Sequence, residues 1–244
     1  MRVLITRAEE EAGRLAATLA ARGIESLIEP LIAIRFRPES TAVLAPFFAG
    51  AQAAIFTSAN GARAFAAATP RRDLRAFAVG PATAMAARAA GFAQIDSAQG
   101  HVEDLAALVI ARLKPGAGAL IHAAGSVTAG DLAGVLGAAG FLLRRAVLYD
   151  AVAAESLSPA ARGALAREEL AAALFFSPRT AAVFVRLAAG LETHCASLVA
   201  VAFSPAVAAA LVPLPWRRIA VASSPQEAEL LRVLERSLET ERSS

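Results

Sequence analysis

Short apolar runs alternate with stretches of helical spacing along the chain, and most runs end in a small polar turn. Val3-Leu4-Ile5 reads as a buried strand, Thr6-Arg7 as its turn, and Glu9–Arg22 as a helix with Ala12, Leu15, Ala16 and Leu19 on one face. Glu9, Glu10 and Glu11 fall in the first turn, where the helix dipole favours acids, and Gly23 ends the helix as a left-handed cap. Glu25–Ile28 and Pro30–Phe36 read as extended. Ala53–Phe56 is a strand running into Thr57-Ser58-Ala59-Asn60-Gly61, and a helix continues through Phe65. Ala76–Val79 enters Gly80-Pro81-Ala82-Thr83, then a helix through Arg88 with Gly91 as its cap. Gln94-Ile95 is a short strand, and a helix led by His101-Val102-Glu103-Asp104 ends near Leu113, before Pro115-Gly116. Ala119-Leu120-Ile121 is expected to enter a turn, His122-Ala123-Ala124-Gly125-Ser126, with a helix from about Ala129. Leu174-Phe175-Phe176 runs into Ser177-Pro178-Arg179-Thr180 and a helix through Phe184, and Ser204-Pro205 forms another such turn.

The same order of units occurs twice. Ser58 falls on Ser177 and Phe65 on Phe184, both 119 positions on. Gly23 falls on Gly140, Leu15 on Leu132 and Leu19 on Leu136, all 117 on. Gly80-Pro81-Ala82 matches Ser204-Pro205-Ala206 at 124, and Leu105 matches Leu230 at 125. Four matches in one order, with so little drift, point to a duplicated molecule. Alternating strands and helices predict parallel sheets with helices on both faces, and such sheets bind ligands at the carboxyl ends of their strands. Every polar turn named above lies at such an end.

Composition narrows the chemistry. The 244 residues are 57% hydrophobic but only 6% aromatic, so the core is built from Ala, Leu, Val and Ile. Net charge is +3 and the basic residues are scattered arginines, with Lys114 the only lysine, which gives no patch suited to nucleic acid. The single cysteine, Cys195, excludes an internal disulfide and reads as a small buried hydrophobe. The early charges Arg2 and Arg7 do not suit a signal peptide, so a cytoplasmic protein is expected. The uncharged stretches Ser40–Ala62 and Cys195–Trp216 are broken by proline and polar residues, and read as buried strands and helices without a membrane span. His101, His122 and His194 have no metal-ligand spacing, and no glycine fingerprint for a nucleotide is present.

The sequence resembles the uroporphyrinogen-III synthase family. The residues that carry the resemblance are Val3-Leu4-Ile5-Thr6-Arg7 with its helix and Gly23, the Pro30-Leu31 run, Ile55-Phe56-Thr57-Ser58-Ala59-Asn60, Val79-Gly80-Pro81-Ala82-Thr83, Leu148-Tyr149 and Phe175-Phe176-Ser177-Pro178. The resemblance implies an α/β fold of two similar parallel-sheet α/β/α domains joined by a two-stranded linker, the first domain discontinuous. Domain one would be 1–34 with 152–244 and domain two 37–147, with linkers near 32–36 and 148–152. It implies a cofactor-independent, metal-free hydro-lyase, a cytoplasmic monomer that closes the linear tetrapyrrole hydroxymethylbilane in a cleft lined by turns of both domains. Water leaves, the last pyrrole attacks through its substituted carbon, and the spiro intermediate recloses with that ring inverted. Nucleic acid and membrane are not partners in this reading. The rival reading is a non-catalytic two-lobed binding protein for an anionic small molecule.

Candidate residues follow from both lines. Tyr149, the only tyrosine, matches a family position whose tyrosine is the usual candidate for assisting departure of the hydroxyl, and the other reading is an aromatic filler. Substrate carboxylates need donors, which helix-start amides beside small or hydroxyl residues provide. The candidates are Thr6, Arg7, Thr57, Ser58, Asn60, Gly80, Pro81, Ala82, Thr83, Gly125, Ser126, Ser177, Arg179, Thr180 and Ser204. The Ser, Thr and Asn residues equally suit helix caps, and the arginines equally suit solvated surface positions. His122 either faces the cleft or is a satisfied structural histidine. Two departures stand out: Val207 takes the place of Thr83 and Ser204 that of Gly80 in the second half, and the turn Val127–Gly130 lacks the basic residue common in similar proteins.

Overall fold

The computed structural model describes residues 2–127 and 130–242. The chain opens with β1 (Arg2–Ile5), α1 (Glu9–Ala20), β2 (Glu25–Ile28), β3 (Ile32–Phe36) and the short α2 (Ser40–Leu44). Next come β4 (Ala51–Phe56), α3 (Ala59–Ala68), β5 (Arg75–Ala78), α4 (Pro81–Ala89), β6 (Ile95–Ser97) and α5 (Val102–Arg112). They are followed by β7 (Ala119–Gly125), α6 (Leu132–Ala138) and the long β8 (Leu143–Ala153). The last part is α7 (Pro159–Ala166), β9 (Leu170–Phe175), α8 (Pro178–Leu187), β10 (Val199–Ala202), α9 (Pro205–Leu211), β11 (Arg218–Val221) and α10 (Glu227–Arg242).

The chain divides into two units, Met1–Ala33 with Val152–Ser244, and Ile34–Ala151. The first holds a five-stranded sheet in the order β2-β1-β9-β10-β11, with every pair parallel. The second holds β8-β7-β4-β5-β6, again parallel, with β3 beside β8 at the edge. The strands that carry the chain from one unit to the other are thus neighbours. Arg37 N–H donates to Leu148 O at 2.8 Å, and Ala154 N–H to Leu31 O at 2.9 Å.

The two strand orders superimpose, with β1, β2, β9, β10 and β11 answering to β7, β8, β4, β5 and β6. Even register repeats. Ile5 sits opposite Leu174 and His122 opposite Ile55, which are the pairs related by shifts of 117 and 119. Gly23 and Gly140, at φ 71° and 83°, end α1 and α6 in the left-handed region, where a Cβ is disfavoured.

Strand alternation builds the layers. In the first unit Val3, Ile5, Leu174 and Val201 face α1 and α10, while Leu4, Phe175 and Ala202 face α7, α8 and α9. In the second, Ile55, Phe77 and Leu120 face α5 and α6, while Phe56, Ala76 and Ile121 face α2, α3 and α4. Each sheet is covered on both faces, so its central strands read as unbroken apolar runs. The same aromatic pair pins a helix in each unit: Phe56 meets Phe65 at 5.7 Å between ring centroids, and Phe175 meets Phe184 at 5.2 Å. Among the described residues no helix is long and apolar enough to cross a membrane.

Two sequence expectations are corrected. The expected turn beginning at His122 is strand, because β7 runs on to Gly125, paired on one side with β4 and on the other with β8. The helix expected from about Ala129 begins at Leu132; Ala129 itself, with Thr128 of the same turn, lies outside the described residues.

Candidate active site

At the carboxyl end of β4 the chain turns through Thr57 and Ser58 into α3. Ser58 caps the helix, its Oγ accepting from Gly61 N–H at 3.0 Å. Position 61 must be glycine for this turn to lie where it does, since a Cβ there would stand 2.5 Å from Ala123 O on β7. The end of β7 is bare for a similar reason. A Cβ on Gly125 would stand 2.8 Å from the ring of Tyr149. The ring therefore lies over the end of β7, only 8% exposed, and its hydroxyl reaches Ser58 Oγ at 2.8 Å. Ser126 N–H donates to the backbone carbonyl of Tyr149 at 3.0 Å.

A second pair lies beside the first. His122, 4% exposed on β7, brings Nε2 to 3.0 Å from Thr57 Oγ1. Burial, reinforced by the positive charge of Arg145, pushes the imidazole down to about 4, so it is neutral at neutral pH. Above the ordinary histidine range both folded and unfolded chains carry it uncharged. Below about 6.5 the unfolded chain takes up a proton that the folded chain refuses until about 4. Stability should therefore fall across that window by up to roughly 3 kcal/mol. Urea unfolding at a series of pH values checks this, and His122→Gln should lose that component.

Three charged residues that the sequence reading did not single out frame these pairs. Arg37, directly after β3, grips Asp150 through Nε at 2.8 Å and Nη2 at 2.9 Å. Hydrogen bonds from Arg37 and from Ser126 hold the Asp150 carboxyl down to about 2. Arg145 donates to Gly125 O at 2.7 Å and Ser126 O at 3.0 Å, fixing the chain where β7 ends. A usable signal was present: Asp150 follows Tyr149 directly on the linker strand.

The next turn along the sheet is Gly80 to Thr83. Val79 N–H donates to Phe56 O at 3.0 Å, which places this turn beside Thr57. Gly80 caps α4 without a side chain, Pro81 supplies no N–H, and Thr83 is buried. Asn60 Oδ1 accepts from Arg63 at 3.0 Å.

In the first unit the candidate turns follow β1, β9 and β10. Ser177 and Ser204 cap α8 and α9, accepting from Thr180 N–H at 3.1 Å and Val207 N–H at 3.4 Å. Thr180 is buried, with its hydroxyl 2.8 Å from Ser177 Oγ, and Arg179 is exposed. Thr6 and Arg7 already have partners within the first unit. Thr6 is buried and its hydroxyl donates to Leu174 O at 2.7 Å, which ties β1 to β9. Arg7 is held by Glu11 at 2.5 Å and Glu227 at 3.0 Å, and its guanidinium lies 4.6 Å from the centre of the Phe176 ring. Cys195 is buried and its thiol is pushed up to about 11, so it stays protonated. Among the described residues no group of three or more His, Cys, Asp or Glu stands ready to hold a metal ion.

The structure therefore brings Thr57, Ser58, Gly125, Ser126 and Tyr149 together at one strand edge, with Gly80 to Thr83 alongside. Hydroxyls, helix-start amides and one phenol at such an edge can bind anions and move a proton.

No curated protein matches the sequence. Among solved structures, the fold is similar to a crystal structure of uroporphyrinogen-III synthetase from Helicobacter pylori, at 18% identity and a TM-score of 0.67, covering 98% of this chain and 100% of that one. It is also similar to a mutant uroporphyrinogen III synthase from Thermus thermophilus, at 18% identity and a TM-score of 0.59, covering 98% of this chain and 99% of that one. A family model described as uroporphyrinogen-III synthase HemD matches residues 13–232. With nine-tenths of its length inside that match, the chain belongs to the uroporphyrinogen-III synthase family.

Proposed function

We propose that the chain carries out the reaction for which its family is named, closing hydroxymethylbilane to uroporphyrinogen III with loss of water and inversion of the last pyrrole ring. The observation that carries this reading is the family match across residues 13–232. The edge of hydroxyls and helix-start amides supports it, because the substrate bears a carboxylate pair on each ring. No feature among the described residues favours the two-lobed receptor.

In this reading Tyr149 supplies the proton for the departing hydroxyl. The carbon–oxygen bond breaks, the pyrrole nitrogen's electron pair fills the vacated site, and the phenol proton completes water. Ser58 Oγ already accepts from Gly61 N–H, so its own hydroxyl hydrogen is available to turn onto the phenolate at 2.8 Å. The first turn of α3 favours negative charge at the same point. The last ring then attacks through its substituted carbon, the spiro intermediate fragments and recloses, and the proton released from the ring carbon that closes the macrocycle returns to the phenolate. Nucleophile and electrophile both belong to the substrate, so the enzyme's contribution is chiefly geometric.

The turns at Thr57–Gly61, Gly80–Thr83, Gly125–Ser126 and Ser177–Thr180, with Ser204, hold carboxylates in this proposal. Thr6 and Arg7, at the end of β1, belong to the same proposed set, with Thr6 also tied to Leu174 O. The reading includes no cofactor or metal, and a cytoplasmic monomer acting on a small molecule without nucleic acid. Residues 1–34 with 152–244 and residues 37–147 serve as its two domains, linked near 32–36 and 148–152. Expression in a bacterium lacking its own uroporphyrinogen-III synthase tests the reading: restored haem-dependent growth is expected, and a folded, abundant protein that restores none contradicts it.

A further inference from the structure

The His122–Thr57 pair carries a second conclusion, which rests on the proposed reaction. His122 lies in the middle strand of three, with Ile55 and Arg145 as its register partners. Its Nε2 meets Thr57 Oγ1 at 3.0 Å, and Nδ1 has no hydrogen-bond partner among the described residues. A neutral imidazole has one N–H and one lone pair. With a single partner available, one nitrogen must remain unmatched in a buried place. Buried N–H groups are rarely left without an acceptor, whereas under-satisfied buried acceptors are less rare. That preference favours the proton on Nε2, with Thr57 Oγ1 as the acceptor.

This fixes the direction of the threonine hydroxyl. Its oxygen receives the imidazole N–H, so its hydrogen must point elsewhere. Thr57 is half-buried at the strand end, and its hydroxyl has no other partner among the described residues. We infer that His122 is a positioning residue that locks Thr57 as a hydrogen-bond donor aimed at a carboxylate of the substrate. Were the pair reversed, Thr57 would present only lone pairs to that anion and repel it. In this role the imidazole acts through Thr57. Neutral at neutral pH, the imidazole has a single N–H to place.

Nitrogen-15 NMR of the imidazole in the wild-type protein reads the tautomer without reference to turnover. A proton on Nε2 is expected, and a proton on Nδ1 overturns the inference even if catalysis is normal. Kinetics supply the second arm. His122→Leu should raise KM for hydroxymethylbilane about tenfold with kcat changed less than about twofold, and His122→Gln, which keeps a donor, should recover most of the loss. In a Thr57→Val background His122→Leu should add nothing further. An equal rise in KM there, or a fall in kcat with KM unchanged, contradicts the inference. If the wild-type protein yields no uroporphyrinogen III, the proposed reaction fails, and the tautomer still decides whether His122 donates to Thr57.

Discussion

Tyr149→Phe is expected to lower kcat about 100-fold while moving KM less than about threefold. The phenylalanine ring keeps the packing over Gly125, which lies too close to the ring to accept a Cβ. What disappears is the hydroxyl 2.8 Å from Ser58 Oγ. Ser58 remains a helix cap through Gly61 N–H, so the fold should lose only about 1 kcal/mol for the hydrogen bond. Rates are compared after subtracting unassisted closure, which yields the uninverted isomer. A variant with full turnover removes the acid role and leaves Tyr149 as packing.

A large stability effect is expected at Gly61. A glycine inside a helix is ordinarily improved by alanine, by about 0.5–1 kcal/mol. Gly13, in α1, meets nothing within 4 Å of an added Cβ, and Gly13→Ala should show that gain. At Gly61 the added Cβ would stand 2.5 Å from Ala123 O, and both groups belong to backbone held in a helix and a paired strand. The overlap cannot be relieved by rotating a side chain. Overpacking of this kind costs about 1–3 kcal/mol, which exceeds the propensity gain. Gly61→Ala should therefore lower the urea midpoint at unchanged m, and kcat should fall with it as α3 carries Ser58 away from Tyr149. A stabilised, fully active Gly61→Ala protein would show that α3 does not sit against β7 as described.

These two expectations also mark how much was legible beforehand. The duplication could be read because each βα unit writes the same local grammar, and Phe56 with Phe65 meets its counterpart in Phe175 with Phe184. Helix starts were equally local. Ser58, Ser177 and Ser204 each accept an amide three residues on, a range that spacing alone reveals. Side-chain partnerships across the fold were out of reach. Ser58 and Tyr149 are 91 residues apart, Thr57 and His122 65, and Arg37 and Asp150 113. Only strand order sets such pairs side by side. His122 was misplaced because Ala123, Ala124 and Gly125 carry little side-chain signal, and pairing with β4 and β8 makes them strand. Thr6 and Arg7 lie at a strand end as expected, but local spacing could not reveal their partners Leu174 and Glu227.

Product isomer analysis tests the central claim most directly: pure protein is incubated with hydroxymethylbilane, and the oxidised porphyrins are separated by isomer. The account predicts uroporphyrin III in large excess. Uroporphyrin I alone, formed no faster than without protein, would contradict it.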